Sequence, residues 1–287
     1  MRSIHSRSLP KHIFGNGLPN VINKSVPASL LNRLWRWIAT GLFFALFGIG
    51  GLALSLVWFT LLRLTVRQQD VLQQFTHASI RYSFRFFINA LRLAGVMDYQ
   101  IIGAEKFKQD RGCLVIANHP SLLDYVFLAS CMPRCDCIVK QALLSNPFLR
   151  GVIKAAGYLV NSGSEALLQA CEGRLKAGGT LLIFPEGTRS VTGQPLTLQR
   201  GAANIAVRTG CDVRIVQISC QPPMLTKQGK WYKIPETKPH FIIRVQSKID
   251  AGDFSAERDL SPALAARRLT RFLRSELMRV GFENNEK

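Results

Sequence analysis

Among the five histidines of this 287-residue chain, His119 is followed five residues later by a carboxylate. The segment Asn118-His119-Pro120-Ser121-Leu122-Leu123-Asp124 follows directly on the apolar run Cys113–Ala117. Read as a strand, that run delivers His119 to a strand's carboxyl end, where open α/β sheets carry their sites. Asp124 then falls in the first turns of a helix expected over Ser121–Cys131, opened by Pro120. A carboxylate five residues after a histidine can fold back and hydrogen-bond one ring nitrogen. That fixes the tautomer, raises the basicity of the ring and leaves the other nitrogen free to take a proton. The same residues also fit a histidine capping a helix with an aspartate at its N-terminus.

A second stretch, Phe184-Pro185-Glu186-Gly187-Thr188-Arg189-Ser190, follows the expected strand Thr180–Phe184 in the same manner. Both loops can therefore meet on one edge of a sheet. Arg189 offers a planar donor fork suited to a phosphate. Gly187 lets backbone N–H groups approach a ligand. Glu186 can hold Arg189 or a substrate hydroxyl. Taken alone, this stretch also reads as a surface turn. The chain has no GxSxG, HExxH, P-loop or GxGxxG motif. Cys131, Cys135 and Cys137 in CMPRCDC lack the usual zinc spacing and an adjacent histidine, so buried reduced thiols and no metal are expected.

The elements that must position these loops alternate. Strands are expected at Tyr99–Ile102, Cys113–Ala117, Cys137–Val139, Tyr158–Val160, Thr180–Phe184, Val213–Ser219 and Phe241–Val245. Helices are expected at Pro147–Ala156, Ser164–Lys176 (with Ser164 as its cap), Gly201–Arg208 and Pro262–Val280. This is the pattern of an α/β sheet covered by helices.

The N-terminal third differs. Ile38–Leu62 is 25 residues without a charge. As a helix it measures about 38 Å, against a hydrocarbon core of about 30 Å. Trp35, Trp37 and Trp58 stand near its ends as interfacial anchors would, with Arg33 and Arg36 before it and Arg63 and Arg67 after. Over Val71–Leu93, Gln74, His77, Arg81, Arg85, Asn89 and Arg92 recur at helical spacing, with Phe86, Phe87 and Leu91 on other faces. Such a helix suits a membrane interface, and equally suits docking on its own domain. Residues 1–34 read as a basic irregular arm, 35–94 as membrane-anchoring helices and 95–287 as the catalytic domain.

Lys plus Arg number 37 and Asp plus Glu 18, for a net charge of +19. The first 97 residues hold eleven of the basic residues and one acid, Asp70. Apolar residues at 47% exclude a disordered polybasic tail. The excess implies an anionic partner. With no recognisable nucleic-acid module and the basic segment fused to an apolar run, anionic lipid headgroups are expected rather than nucleic acid. Seven cysteines without regular spacing indicate a reducing compartment.

Together NHPSLLD and FPEGTRS, with 61 residues between Asp124 and Glu186, resemble the paired motifs of the lysophosphatidate (1-acylglycerol-3-phosphate) acyltransferase family. The resemblance covers roughly residues 95–225, and that family usually carries membrane-associated helices before it. It implies a glycerolipid-acyltransferase-like sheet and transfer of an acyl group to a glycerol-phosphate hydroxyl. By this resemblance His119 is the general base and Asp124 orients it. Glu186, Gly187, Thr188 and Arg189, with Lys140 at the end of the Cys137–Val139 strand, bind substrate, and the backbone of the Gly187 loop is a candidate oxyanion donor. The donor is acyl-CoA or acyl-carrier protein, used as co-substrate with no resident cofactor. A catalytically inactive, membrane-anchored protein of the same fold is the alternative.

Two blocks depart from the family. A Gly-x-x-x-Arg-like block reads Gly157-Tyr158-Leu159-Val160-Asn161, and a late Val-Pro-Ile-Val-Pro-Val-like block reads Val213-Arg214-Ile215-Val216-Gln217-Ile218. Both point to an acceptor other than lysophosphatidate itself, or to an unusual acyl chain from a dedicated carrier-protein pathway such as aryl polyene synthesis. Acyl thioesters are cytosolic, so the catalytic domain is expected on the cytoplasmic face. A simple span would then put six Lys/Arg before Trp37 on the far side, against the positive-inside tendency. A monotopic anchor, or a hairpin breaking near Gly48, Gly50 and Gly51, resolves the conflict.

Overall fold

The computed structural model describes residues 29–161, 165–191, 193–254 and 261–279. Seven strands form one sheet: β1 (Asp98–Ile102), β2 (Leu114–Ala117), β3 (Asp136–Lys140), β4 (Leu159–Asn161), β5 (Leu181–Ile183), β6 (Asp212–Gln221) and β7 (His240–Asp250). Their order is β1-β7-β6-β2-β5-β3-β4. All neighbours are parallel except β6 and β7, which run antiparallel. The centre is β2, whose four residues Leu114, Val115, Ile116 and Ala117 are wholly buried. A run apolar at every position is what a parallel strand covered on both faces requires.

Helices supply the cover. α3 (Gln69–Leu93) and α4 (Asp124–Cys131) lie over one face, where Phe87, Ile88, Leu91, Phe127 and Leu128 pack with Val115, Leu182 and Phe241. α6 (Glu165–Lys176), α7 (Gly201–Thr209) and α8 (Pro262–Met278) lie over the other, where Cys171, Ala203, Leu269 and Leu273 meet Leu114, Ile116 and Ile215. Small residues on α7 let that helix approach the sheet closely, and the Ser261-Pro262 pair opens α8 as a proline at the first helical turn should. Expected and observed strands agree to within a few residues, β7 being longer at both ends. α4 is shorter than expected, because Pro120–Leu123 form a turn and the helix starts at Asp124 itself. The expected cap at Ser164, residues 1–28 of the arm and residue 280 lie outside the described residues.

The N-terminal helices correct two expectations. Leu30–Thr65 is helical throughout, comprising α1 (Leu30–Ala53), a π-helical stretch Leu54–Trp58 and α2 (Phe59–Thr65). It is the one helix among the described residues long and apolar enough to cross a membrane by length and composition, with mean hydropathy 2.2 over an 18-residue window. It does not break at Gly48, Gly50 and Gly51; the chain reverses later, at Val66–Gln68, into α3. Two of those glycines serve close approach to α5 (Pro147–Ala156). A Cβ on Gly51 would stand 2.7 Å from the Phe148 carbonyl oxygen, and one on Gly48 would stand 3.4 Å from the Phe148 ring. Gly151 of α5 reciprocates, since its Cβ would overlap Ser55 at 2.3 Å. Helix also reaches further back than the expected arm boundary, because Ser29 accepts from the Asn32 N–H at 3.3 Å as an N-cap.

Arg36 is the second correction. It was expected as a flanking charge and is fully buried instead. Its guanidinium donates to Asn32 Oδ1 (3.0 Å), Thr237 O (3.0 Å) and Glu236 O (2.8 Å), so α1 is pinned to the segment between β6 and β7. That segment returns the contact: Trp231 packs on Phe44 and lies 3.5 Å from where a Gly41 Cβ would be. On α3, His77 belongs to the inner face rather than to a polar stripe. Burial, then Arg134 and Arg174, push its ring down to about 4, so it sits neutral beside Asp136 at 3.6 Å.

Candidate active site

The two motif loops emerge side by side because β2 and β5 are parallel neighbours, with Ile116 opposite Ile183. Backbone and side chain then knit them together. The His119 N–H donates to Glu186 Oε1 (2.8 Å), Ser190 Oγ donates to the same oxygen (2.9 Å), and the Ser190 N–H donates to His119 O (2.7 Å). The His119 ring stacks on Phe184, centroids 4.2 Å apart at 22°. Asn118 extends the β2–β6 ladder with its amide, donating to Ile218 O (2.8 Å) and accepting from the Ile218 N–H (2.7 Å). His119 is thus held by its backbone on both sides and by its ring face.

Nδ1 of His119 lies 2.8 Å from Oδ2 of Asp124. The Ser121 N–H donates to that same oxygen at 2.7 Å, closing the turn that folds the carboxylate back. Asp124 is fully buried, and among the described residues its Oδ1 has no hydrogen-bond partner. Burial therefore pushes its pKa up to about 6, against the hydrogen bond and charge of His119 and the Ser121 N–H, which pull it down. At neutral pH the carboxylate is ionised and selects the tautomer with the proton on Nδ1. That leaves Nε2 on the far side of the ring from the carboxylate, and the side chain retains 18% exposure.

The second motif departs in part from expectation. Glu186 does not turn to Arg189; one of its oxygens staples the two loops as described. The Gly187 N–H donates to Phe184 O at 3.0 Å, so this N–H is used inside its own turn. Glycine is required there for another reason: φ is +66°, and a Cβ would stand 2.7 Å from the Gln199 amide. Thr188 follows, half-buried. Arg189 donates through Nη1 to Leu225 O (2.8 Å) and Thr226 O (2.9 Å). The Leu225 carbonyl also accepts from the Leu122 N–H at 3.1 Å, so the segment after β6 closes over both motif loops. Lys140 is exposed at the carboxyl end of β3, on the same sheet edge, two strands or about 10 Å from β2. Its register partner is Asn161.

Phe184, Ser190, Asn118 and the Leu225–Thr226 carbonyls were not singled out by sequence reasoning. The first three stand inside the motifs, which is the only signal they carry. The late departure at Arg214 has a packing cause: the side chain is buried and forks onto the buried Asp110, and it also donates to Gln246 O at 2.8 Å. Cys135 and Cys137 are buried and Cys131 is partly so, with Cys137 pushed up to about 12 by burial. No cluster of His, Cys, Asp and Glu among the described residues is arranged to hold a metal ion.

Residues 98–221, which span β1 to β6 and contain both motifs, match the family model described as Acyltransferase. These residues form an acyltransferase-family domain. Relatives named 1-acyl-sn-glycerol-3-phosphate acyltransferase resemble it: that of Helicobacter pylori is 33% identical over 143 residues (47% of this chain, 56% of the relative). That of Pseudomonas aeruginosa is 30% identical over 159 residues (53% of this chain, 61% of the relative). The chain thus spans little more than half the length of these relatives. The crystal structure of the 1-acyl-sn-glycerophosphate acyltransferase of Thermotoga maritima shares the fold, with a TM-score of 0.61 at 23% identity over 88% of this chain and 97% of that one. The acyltransferase-family domain carries the His119–Asp124 pair on its central strand and the stapling glutamate on the neighbouring one.

Proposed function

We propose that this chain is an O-acyltransferase that works at a membrane surface, with His119 as its general base. The reading rests on the 2.8 Å contact between His119 Nδ1 and the buried Asp124 carboxylate, set in an acyltransferase-family domain. In the proposed reaction Nε2 of His119 takes the proton of an acceptor hydroxyl as its oxygen attacks a thioester carbonyl carbon. The tetrahedral adduct collapses with cleavage of the carbon–sulfur bond, and the imidazolium returns the proton to the departing thiolate. Products are an ester and a free thiol. Asp124 stabilises the imidazolium that forms in between.

The donor is an acyl thioester, acyl-CoA or acyl-carrier protein, and the acceptor is a lysophosphatidate-like glycerol phosphate. Arg189 and Lys140 are the cations on this sheet edge that suit a phosphate. The carbonyls of Leu225 and Thr226 hold the Arg189 fork at one end, which orients it for an anion arriving at the other. Lys140 stands in register beside Asn161, the position where the related block carries arginine, and takes over part of that charge.

The apolar helix supports a monotopic anchor rather than a span. It is fastened to the domain near its start by Arg36, in its middle by Phe148 against Gly48 and Gly51, and at its end by Phe59 and Leu62, which are buried with Ile153 and Ala156. A helix held along its length by the catalytic domain lies parallel to the bilayer and offers its outer face, with Leu42, Leu46, Ile49 and Leu56 exposed, to the acyl region. The catalytic domain then stands on the cytoplasmic face with the thioesters.

The test is turnover by the full chain in detergent with labelled acyl-CoA or acyl-carrier protein and a panel of glycerol phosphates and lysophospholipids. Free thiol and labelled ester appear in equal amounts with wild type. His119→Ala lowers the rate by at least about a hundredfold, in line with the usual share of a general base. Equal rates for the two proteins refute His119 as base, and thiol release without ester refutes transfer.

A further inference from the structure

Away from the catalytic loops, a cleft of about 800 Å³ opens between the first two turns of α1 and the segment that joins β6 to β7. Volumes of this order hold a ligand of several hundred daltons. Leu34 and Trp37 of α1 line it together with Tyr232 and Ile234 of the segment. Two cations, Arg33 and Lys233, line it as well, and among the described residues no acid does. Apolar walls with only positive charges among them match an apolar chain that ends in an anionic head.

The surface around the cleft indicates where such a ligand comes from. Leu30 and Leu31 are 84% and 80% exposed, and Trp35 and Trp231 are about half exposed at the same corner. Lys230 Nζ stands 5.6 Å from the centre of the Tyr232 ring. Tryptophans, a tyrosine and leucines with lysine among them form the composition that settles at the headgroup level of a bilayer. The apolar outer face of α1 continues from this corner without interruption.

We propose that this cleft binds one anionic glycerophospholipid of the bilayer, its phosphate between Arg33 and Lys233 and the start of its chain on Leu34, Trp37, Tyr232 and Ile234. The site is separate from His119 and does not depend on the acyl-transfer reading. It does touch the same segment: Pro223, on its wall, lies two residues before Leu225, whose carbonyl receives the Leu122 N–H and the Arg189 fork. A lipid seated here steadies that segment from the membrane side.

The full chain in detergent is titrated with dihexanoyl phosphatidic acid below its micelle concentration, so that no bilayer contributes, and binding is read by calorimetry. Arg33→Gln with Lys233→Gln is the informative variant, because both side chains are exposed and their replacement leaves the fold alone. With roughly fivefold in affinity for each basic charge close to an anionic lipid, the double variant binds about 25-fold more weakly. Ile234→Asp, which sets a carboxylate into the wall, weakens binding at least as much. Dihexanoyl phosphatidylcholine, with no net charge, binds wild type more weakly than phosphatidic acid and is indifferent to the double variant. Equal affinity of wild type and the double variant for phosphatidic acid overturns the proposal. So does preferential binding of hexanoyl lysophosphatidate that the double variant also loses, which would make the cleft an entrance for acceptor.

Discussion

Replacing Asp124 by asparagine separates what this carboxylate does for the fold from what it does for the base. The folded carboxyl titrates at about 6 against an ordinary 3.8, because it is fully buried. At about 1.4 kcal/mol per pH unit, keeping it ionised at pH 7.5 costs the native state roughly 3 kcal/mol. The sign follows from the direction. The folded protein holds this proton more tightly than the unfolded chain, so stability falls as pH rises from about 4 to about 6 and is flat beyond. Asparagine abolishes that dependence. Its amide oxygen can still take the Ser121 and His119 N–H groups, while its NH₂ replaces the unpartnered Oδ1, a cost of about 1–3 kcal/mol. The variant is therefore about as stable as wild type or more so at pH 7.5, and its advantage shrinks by roughly 2 kcal/mol at pH 4.5, where the unfolded carboxyl is still mostly ionised. Its activity moves the other way, down about 10²–10⁴-fold, since the imidazolium loses its counter-charge. Wild-type kcat/KM falls on the acid side with an apparent midpoint that belongs to the His119–Asp124 pair. Thermal midpoints of both proteins at pH 4.5 and 7.5, with kcat/KM from pH 5 to 8, provide the check. A stability difference independent of pH, or activity within tenfold of wild type, refutes the argument.

Glu186→Ala removes the acceptor shared by the His119 N–H and Ser190 Oγ and lowers kcat at least about tenfold, whereas Glu186→Gln keeps one oxygen for both donors and retains most of the rate; equal loss in both would assign the residue to substrate instead. Gly187→Ala meets the Gln199 amide at 2.7 Å and a left-handed backbone, and costs about 1–3 kcal/mol in a denaturant titration. Pairing it with Gln199→Ala relieves the contact and not the backbone, so recovery is partial. Gly51→Val drives a side chain into the Phe148 carbonyl and lowers the thermal midpoint by several degrees. An unchanged midpoint would mean that α1 is not held by α5.

What could be read from the sequence and what could not divides by distance along the chain. His119 and Asp124 are five residues apart, and a proline-led turn is enough to bring them together, so local rules find the pair. The strands of the domain are short apolar runs bounded by turns, which local rules also find. Glu186 was legible as a site residue but not as a staple, because its partner is a backbone N–H and every residue has one. Arg189 was legible as a cation, yet the carbonyls that hold it come from a segment 36 residues further on. Glycine misled at Gly48 and Gly51, where it marks a close helix crossing and not a break, while at Gly187 it also closes a turn. Sequence gives the residue its freedom; only packing says which use is made of it.

The socket around Arg36 carries a consequence for the order in which the chain assembles. Its two carbonyl acceptors, Glu236 and Thr237, lie 200 and 201 residues downstream. At about 5–20 residues per second, a ribosome needs roughly 10–40 s to supply them after Arg36 has been made. Throughout that interval an apolar helix and its guanidinium are without the protein groups that later receive them. The outer face of the helix needs no such partner, only lipid. On the proposed monotopic reading, the nascent chain meets the bilayer first, and the domain closes afterwards onto a helix already lying there. Arg36 is then drawn from the water-facing side into its socket late in synthesis rather than at its start.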